Sequence, residues 1–162
     1  MDTIDKIDCE ILQVLQNNAR IQNKELATKV GIAESTCLQR VRRLRERGVL
    51  TGYRATVDPR RLGVGLQAMV AVQLRSHSRA TVERFQQSVL SRAEVVACYH
   101  LGGRTDFLVH VAVRDSAHLR DLLLSTLTER DEVQQVETSI IYEQNHTEAW
   151  PIYPSARTGE HT

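Results

Sequence analysis

Five arginines, Arg40, Arg42, Arg43, Arg45 and Arg47, crowd into eight residues with Glu46 as the one opposing charge. A net +4 over so short a stretch repels itself unless a polyanion compensates it. Leu38, Val41 and Leu44 recur every three residues through the same stretch, so it reads as a helix with one apolar stripe and a cationic remainder. Ser35, Thr36 and Gln39 stand at its start. In a helix laid into a DNA groove the first turns meet base edges, where Gln pairs bidentately with adenine and Arg with guanine. That order puts Ser35, Thr36, Gln39 and Arg40 nearest the bases and leaves Arg42, Arg43 and Arg20 for phosphates. The plainer reading, a solvated face balanced by carboxylates, has only Glu46 to work with.

A second constellation is Leu101-Gly102-Gly103-Arg104-Thr105-Asp106, lying between two stretches of strand character. Spacing alone allows two readings. Two glycines and an aspartate make a hairpin turn. The same glycines would also let backbone N–H groups approach a ligand carboxylate, with Asp106 accepting from its ammonium group.

Catalysis finds little in the chain. His77, His100, His110, His118, His146 and His161 show no metal-ligand spacing among themselves or with cysteine, so no metal or cofactor is implied. There is no phosphate-binding P-loop and no Gly-x-Ser-x-Gly elbow. Cys9, Cys37 and Cys98 are odd in number and far apart, as expected for small buried thiols in a reducing cytoplasm. Residues 145–147 match a glycosylation sequon without the secretory context to use it.

The elements that would position these groups fall into two sets. Residues 5–17 form a helix through Ile4, Ile7, Ile11 and Leu15, with Asp2, Asp5 and Asp8 at its N-terminal end. Residues 24–30 form a second helix, capped by Asn23 and ended by Gly31, and the arginine helix stops at Gly48. Residues 49–57 read as a strand, and 58–65, with Pro59, Gly63 and Gly65, as a linker. The period then changes. Strands at 67–74, 95–101, 107–113 and 133–142 and helices at 80–90 and around Leu119–Leu127 give the order βαββαβ of a ferredoxin-like domain. The expected domains are 1–57, 66–144 and a polar tail, 145–162, read as loose or partner-dependent.

Bulk numbers agree once they are divided. The 162 residues carry a net charge of only +1, yet residues 1–60 balance to +3 and residues 61–162 to −2. The start has no signal-peptide h-region and no apolar run is long enough to span a bilayer, so the expectation is a cytoplasmic chain without a membrane partner.

Laid out in this order, Ile4-Asp5-x-x-Asp8-x-x-Ile11-Leu12, Glu25-Leu26-Ala27, Gly31-Ile32-Ala33-x-Ser35-Thr36 and Arg40-Val41-x-Arg43-Leu44-x-x-x-Gly48-Val49-Leu50-x-Gly52-Tyr53 resemble the leucine-responsive/asparagine-regulatory (Lrp/AsnC, feast-famine) transcriptional regulators. The resemblance spans about residues 4–142. It implies an α+β chain: a three-helix winged helix-turn-helix domain, a hinge strand, and a ferredoxin-like domain for effector binding and oligomerisation. It further implies double-stranded DNA and an amino acid or similar metabolite as partners, and a homodimer that assembles further, to an octamer in many members. The effector residues it implies are Leu101, Gly102, Gly103, Arg104, Thr105 and Asp106, joined by Thr138 and Ser139 of the last strand. The family's glycine-x-x-aspartate falls on Gly103 and Asp106, but Arg104 and Thr105 replace its usual acidic and aromatic pair. Arg104 adds a carboxylate-pairing fork, pointing to an anionic effector. Ala33 stands where the family has a serine, leaving Ser35 or Glu34 to cap the arginine helix. Two readings of other classes are an enzyme on the same architecture, such as a sirohaem decarboxylase, and an assembly module without DNA contact.

Overall fold

The computed structural model describes residues 4–128, 130–145, 147 and 149–153. Asp2, His146, His161 and the end of the tail, with Pro154 and Gly159, lie outside the described residues. The chain divides into two units, one of residues up to 56 together with those from 145 onward, the other of residues 57–144.

The first unit has three helices, α1 (Lys6–Asn17), α2 (Asn23–Val30) and α3 (Glu34–Glu46). Asp5 caps α1, its Oδ1 accepting from Asp8 N–H at 2.8 Å. Gly31 ends α2 in the left-handed region at φ 69°, where a Cβ would be strained. Asn23 does not cap α2. It is the first helical residue, and its Nδ2 donates 2.9 Å to the Glu34 carbonyl, tying α2 to the start of α3. Neither Glu34 nor Ser35 caps α3, which begins after Ala33 without a side-chain cap. Ile11, Leu12, Leu15, Leu26, Ala27, Val30, Cys37 and Leu44 form the core.

Residues 49–57 do not form the expected strand. A strand needs a ladder partner, and no ladder joins this segment among the described residues; 51–56 are exposed while Val49 and Leu50 pack on the helical core. The described part of the tail departs from expectation too. Trp150 N–H donates to Gln16 Oε1 at 2.6 Å, Gln16 Nε2 returns 3.3 Å to the Trp150 carbonyl, and Ile152 packs against the same core. An apolar residue and two hydrogen bonds to the Gln16 amide dock a stretch that its polar composition suggested was free.

In the second unit a single 3-10 turn, Pro59–Leu62, precedes β1 (Leu66–Leu74), α4 (Arg79–Leu90), β2 (Val95–His100), β3 (Phe107–Val113), α5 (Ser116–Leu123) and β4 (Val133–Ile141). The sheet is antiparallel in the order β2-β3-β1-β4. Gly65 is required at its entry, because a Cβ there would sit 2.2 Å from the Arg114 carbonyl oxygen. Ser78 and Asp115 cap the two helices. The core lies between sheet and helices: Val70, Val72, Val109 and Val111 from the strands, Phe85, Val89, Leu119 and Leu122 from the helices, with Phe85 and Phe107 at 4.7 Å between ring centroids. By register the opposite sheet face carries Gln67, Met69, Ala71, Leu108, His110 and Ser139.

Candidate DNA-binding helix and effector loop

Turning about 100° per residue, α3 directs Cys37 and Leu44 inward, so Ser35, Gln39 and Arg42 stand in one outward line. Thr36 and Arg43 flank that line on one side, Leu38 and Arg45 on the other. Ser35, Thr36, Gln39, Arg42 and Arg43 are all exposed, as is Arg20 after α1. Cys37, not Leu38, leads the buried stripe; Leu38 is 47% exposed. Val41 and Leu44 pack inward as the spacing predicts, but the first member of the stripe is Cys37, which leaves Leu38 as an apolar side chain on the outward face.

Arg40 takes another course from the one its type suggested. It lies toward the core side of α3, and its Nη1 donates 2.6 Å to Asp5 Oδ2 and 2.8 Å to Asp8 Oδ1. Asp8 is buried. Hydrogen bonds to these two carboxylates hold the Arg40 guanidinium above its ordinary pKa. Burial works to raise the Asp5 carboxyl, yet the Asp8 N–H and Arg40 outweigh it and keep it below its usual range. Arg45, by contrast, lies over the Tyr53 ring at 5.7 Å, joining α3 to the segment that follows it.

In the second unit, residues 101–106 bridge β2 and β3. Leu101 N–H donates 2.8 Å to the Asp106 carbonyl, and Asp106 N–H donates 3.0 Å to that of Val72. Gly103 sits at φ 139°, open to glycine and strained for other residues. Leu101, Gly102, Gly103 and Arg104 are exposed, and Thr105 is half-buried. Asp106 is buried and already committed: Oδ2 accepts from Leu74 N–H at 2.7 Å, and Oδ1 meets His77 Nε2 at 2.8 Å. Its carboxylate therefore braces the loop against the end of β1 instead of standing open for an ammonium group. The stretch makes the hairpin turn of the first reading, with residues 101–104 exposed.

Thr138 and Ser139 do not join the loop within one chain. They lie on edge strand β4, with β3 and β1 between them and β2. Ser139 pairs with Met69 on the face away from the helices. Thr138 lines a groove of about 450 Å³ between β4 and α5, together with Ser116, Leu119, Arg120, Leu123, Leu124 and Ile140. Nothing in the sequence marked this groove, because it depends on how α5 packs beside β4. Among the described residues no group of three His, Cys, Asp or Glu side chains could hold a metal ion.

Comparison with known proteins decides the family. Residues 4–51 match the family model for winged helix-turn-helix DNA-binding, and residues 67–150 that for the Lrp/AsnC ligand binding domain. The chain belongs to the Lrp/AsnC family. It is 44% identical over 140 residues to the HTH-type transcriptional regulator AldR of Mycolicibacterium smegmatis, spanning 86% of this chain and 82% of the relative. A transcriptional regulator from Neisseria meningitidis, crystallised as a complex with L-Met, superimposes with a TM-score of 0.85 at 36% identity over 92% of this chain and 97% of that one. The feast or famine regulatory protein of M. tuberculosis, complexed with L-methionine, gives a TM-score of 0.82 at 29% identity over 93% and 99%. This Lrp/AsnC chain is thus a DNA-binding transcriptional regulator with a ligand-binding domain. Its relatives are regulators, not enzymes, and the decarboxylase reading has no support among them. No helix among the described residues is long and apolar enough to cross a membrane.

Proposed function

We propose that this regulator inserts α3 into the major groove as a homodimer and alters its DNA binding when an amino acid occupies a site shared between copies. The observation that carries the DNA half is the outward line Ser35–Gln39–Arg42, exposed along α3 while every inward position is packed or ion-paired. Ser35 and Gln39 face base edges, and Leu38, exposed beside them, suits a thymine methyl. Thr36, Arg42, Arg43 and Arg20 hold phosphates and fix register. A two-fold pair presents two such helices to half-sites about one helical turn apart.

The effector half rests on an incompleteness. The 101–106 loop offers backbone and the Arg104 fork, but Thr138 and Ser139 of the same chain lie at the far edge of the sheet. The loop of one copy and the β4 groove of another are the two halves of the site, which supports a dimer assembling further, to an octamer. Binding between copies then shifts assembly, and with it DNA affinity. Two relatives were crystallised with L-methionine; here Arg104 in the loop favours an effector carrying an additional acid. Calorimetric titration with aspartate, glutamate, leucine and methionine tests this. Aspartate or glutamate is expected to bind tightest, and an apolar amino acid binding tighter than both would overturn the choice. Gel shifts on the DNA upstream of the chain's own gene test the first half: Gln39→Ala and Arg43→Ala are expected to weaken binding, and unchanged binding in both overturns the groove assignment.

A further inference from the structure

We propose that Arg40 is a positioning residue: clasped by Asp5 and Asp8, it sets the angle at which α3 enters DNA and does not itself touch DNA. This rests on α3 being the helix that enters the groove. Besides this clasp, α3 is held by Asn23, which ties its start to α2, and by a small apolar seam. It starts without a side-chain cap, and its buried contacts are Cys37 and Leu44, with Val41 half-buried. The Arg40 clasp ties it ionically to α1, at the capping residue of α1 and a residue of its first turn. Both oxygens of Asp5 are used, Oδ1 on the Asp8 N–H and Oδ2 on Arg40. The positive end of α1 favours this carboxylate pair, and the clasp ties α3 to the capped N-terminus of its neighbour.

The charges argue against a double role. Asp5, Asp8 and Arg40 sum to one negative charge close to a helix that must meet a polyanion, a disadvantage for affinity unless the group does something else. If Arg40 turned toward a phosphate, Asp8 would be left buried beside Asp5 without its cation, which is costly. The guanidinium can thus serve α1 or DNA, and its geometry commits it to α1. Asp5 and Asp8 then act on DNA affinity through shape, with a sign opposite to their electrostatic effect.

That sign makes the test. Removing a carboxylate near DNA strengthens binding to any duplex if only charge matters. Full-length Asp8→Asn is instead expected to lower affinity for the upstream operator fragment about tenfold while leaving binding to random-sequence duplex equal or stronger. Arg40→Gln should match it, and the slope of log K against log salt should stay at the wild-type value, whereas loss of a phosphate contact reduces it by about 0.9. The double variant should be no weaker than the worse single one. Circular dichroism confirms that each protein is folded. If Asp8→Asn does not fold, Arg40→Lys, which keeps the charge but removes the guanidinium whose Nη1 reaches both carboxylates, decides: operator affinity at the wild-type level overturns the proposal, and a loss at unchanged salt slope supports it. Stronger operator binding by Asp8→Asn, or a reduced slope in Arg40→Gln, also overturns it. A wild-type chain that binds no duplex at all overturns the DNA-binding reading instead, a distinguishable failure.

Discussion

At the scale of single residues, side-chain type was a good guide to chemistry and a poor one to partners. The exposure of Ser35, Gln39 and Arg42 on α3 was legible, because helical spacing alone sets which positions face outward. Arg40 and Asp106 were not, since each is claimed by a residue distant in sequence, Arg40 by Asp5 and Asp8 and Asp106 by Leu74 and His77. The Asp106 assignment carries a prediction. Asp106→Ala strands the buried Leu74 N–H and is expected to cost about 1–3 kcal/mol in denaturant melts, while Asp106→Asn keeps an acceptor and costs less. Unchanged stability in Asp106→Ala, with effector binding abolished, would make Asp106 a ligand contact after all. His110 gives a pH prediction. It is buried on the sheet face away from the helices, hydrogen-bonded to Gln67 at 2.9 Å, and burial pushes its pKa below the ordinary 6.5. The unfolded chain therefore binds a proton that the folded chain resists, so stability should fall as pH drops below about 6.5. Asp5 and Glu94, whose carboxyls are held below their ordinary 3.8 and 4.5, contribute only at lower pH. Melting temperatures from pH 7 to 5 should decline in the wild type and decline less in His110→Gln; equal slopes would remove His110 as the cause.

At the scale of elements, the helices and the βαββαβ order followed from periodicity, because amphipathic spacing reports which face is buried whatever the partner. Segments whose structure depends on a partner were the ones misread. Residues 49–57 have strand composition but no ladder, and β4 is an edge whose Thr138 and Ile140 border a groove that periodicity cannot reveal. Glycines at turns were legible for a physical reason. Gly31 holds φ 69° between α2 and α3 with nothing within 4 Å of a built Cβ, so its substitution meets backbone strain and no clash. Gly31→Ala should cost about 1 kcal/mol, and Gly31→Asn, which tolerates the left-handed region, less. Gly65 differs, since there the Arg114 carbonyl blocks any Cβ. Gly65→Ala should be the more damaging of the two in thermal melts, and the reverse order would mean that the approach at Arg114 relaxes freely.

At the scale of the whole molecule, the first unit is built from both ends of the chain. The sequence hid this because 145–153 has no helical or strand period to announce a docked segment, and its anchor is backbone: Trp150 uses its N–H and carbonyl on Gln16 while its ring is 82% exposed. Among the described residues of the segment, Ile152 is the one that packs on the helical core. This division of labour predicts an unusual order of effects. Among the described residues, deleting 149–153 removes two hydrogen bonds to an amide side chain and one packed isoleucine, together worth about 2–4 kcal/mol. The loss should appear as faster hydrogen exchange at α1 amides, with the β1 and β3 amides of the second unit unchanged. Ile152→Ala and Gln16→Ala should each reproduce part of it. Trp150→Ala, although it removes the largest side chain in the segment, should reproduce almost none, because the backbone it shares with Gln16 is intact. A Trp150→Ala effect as large as the deletion would mean that the ring, and not the main chain, holds the tail to α1.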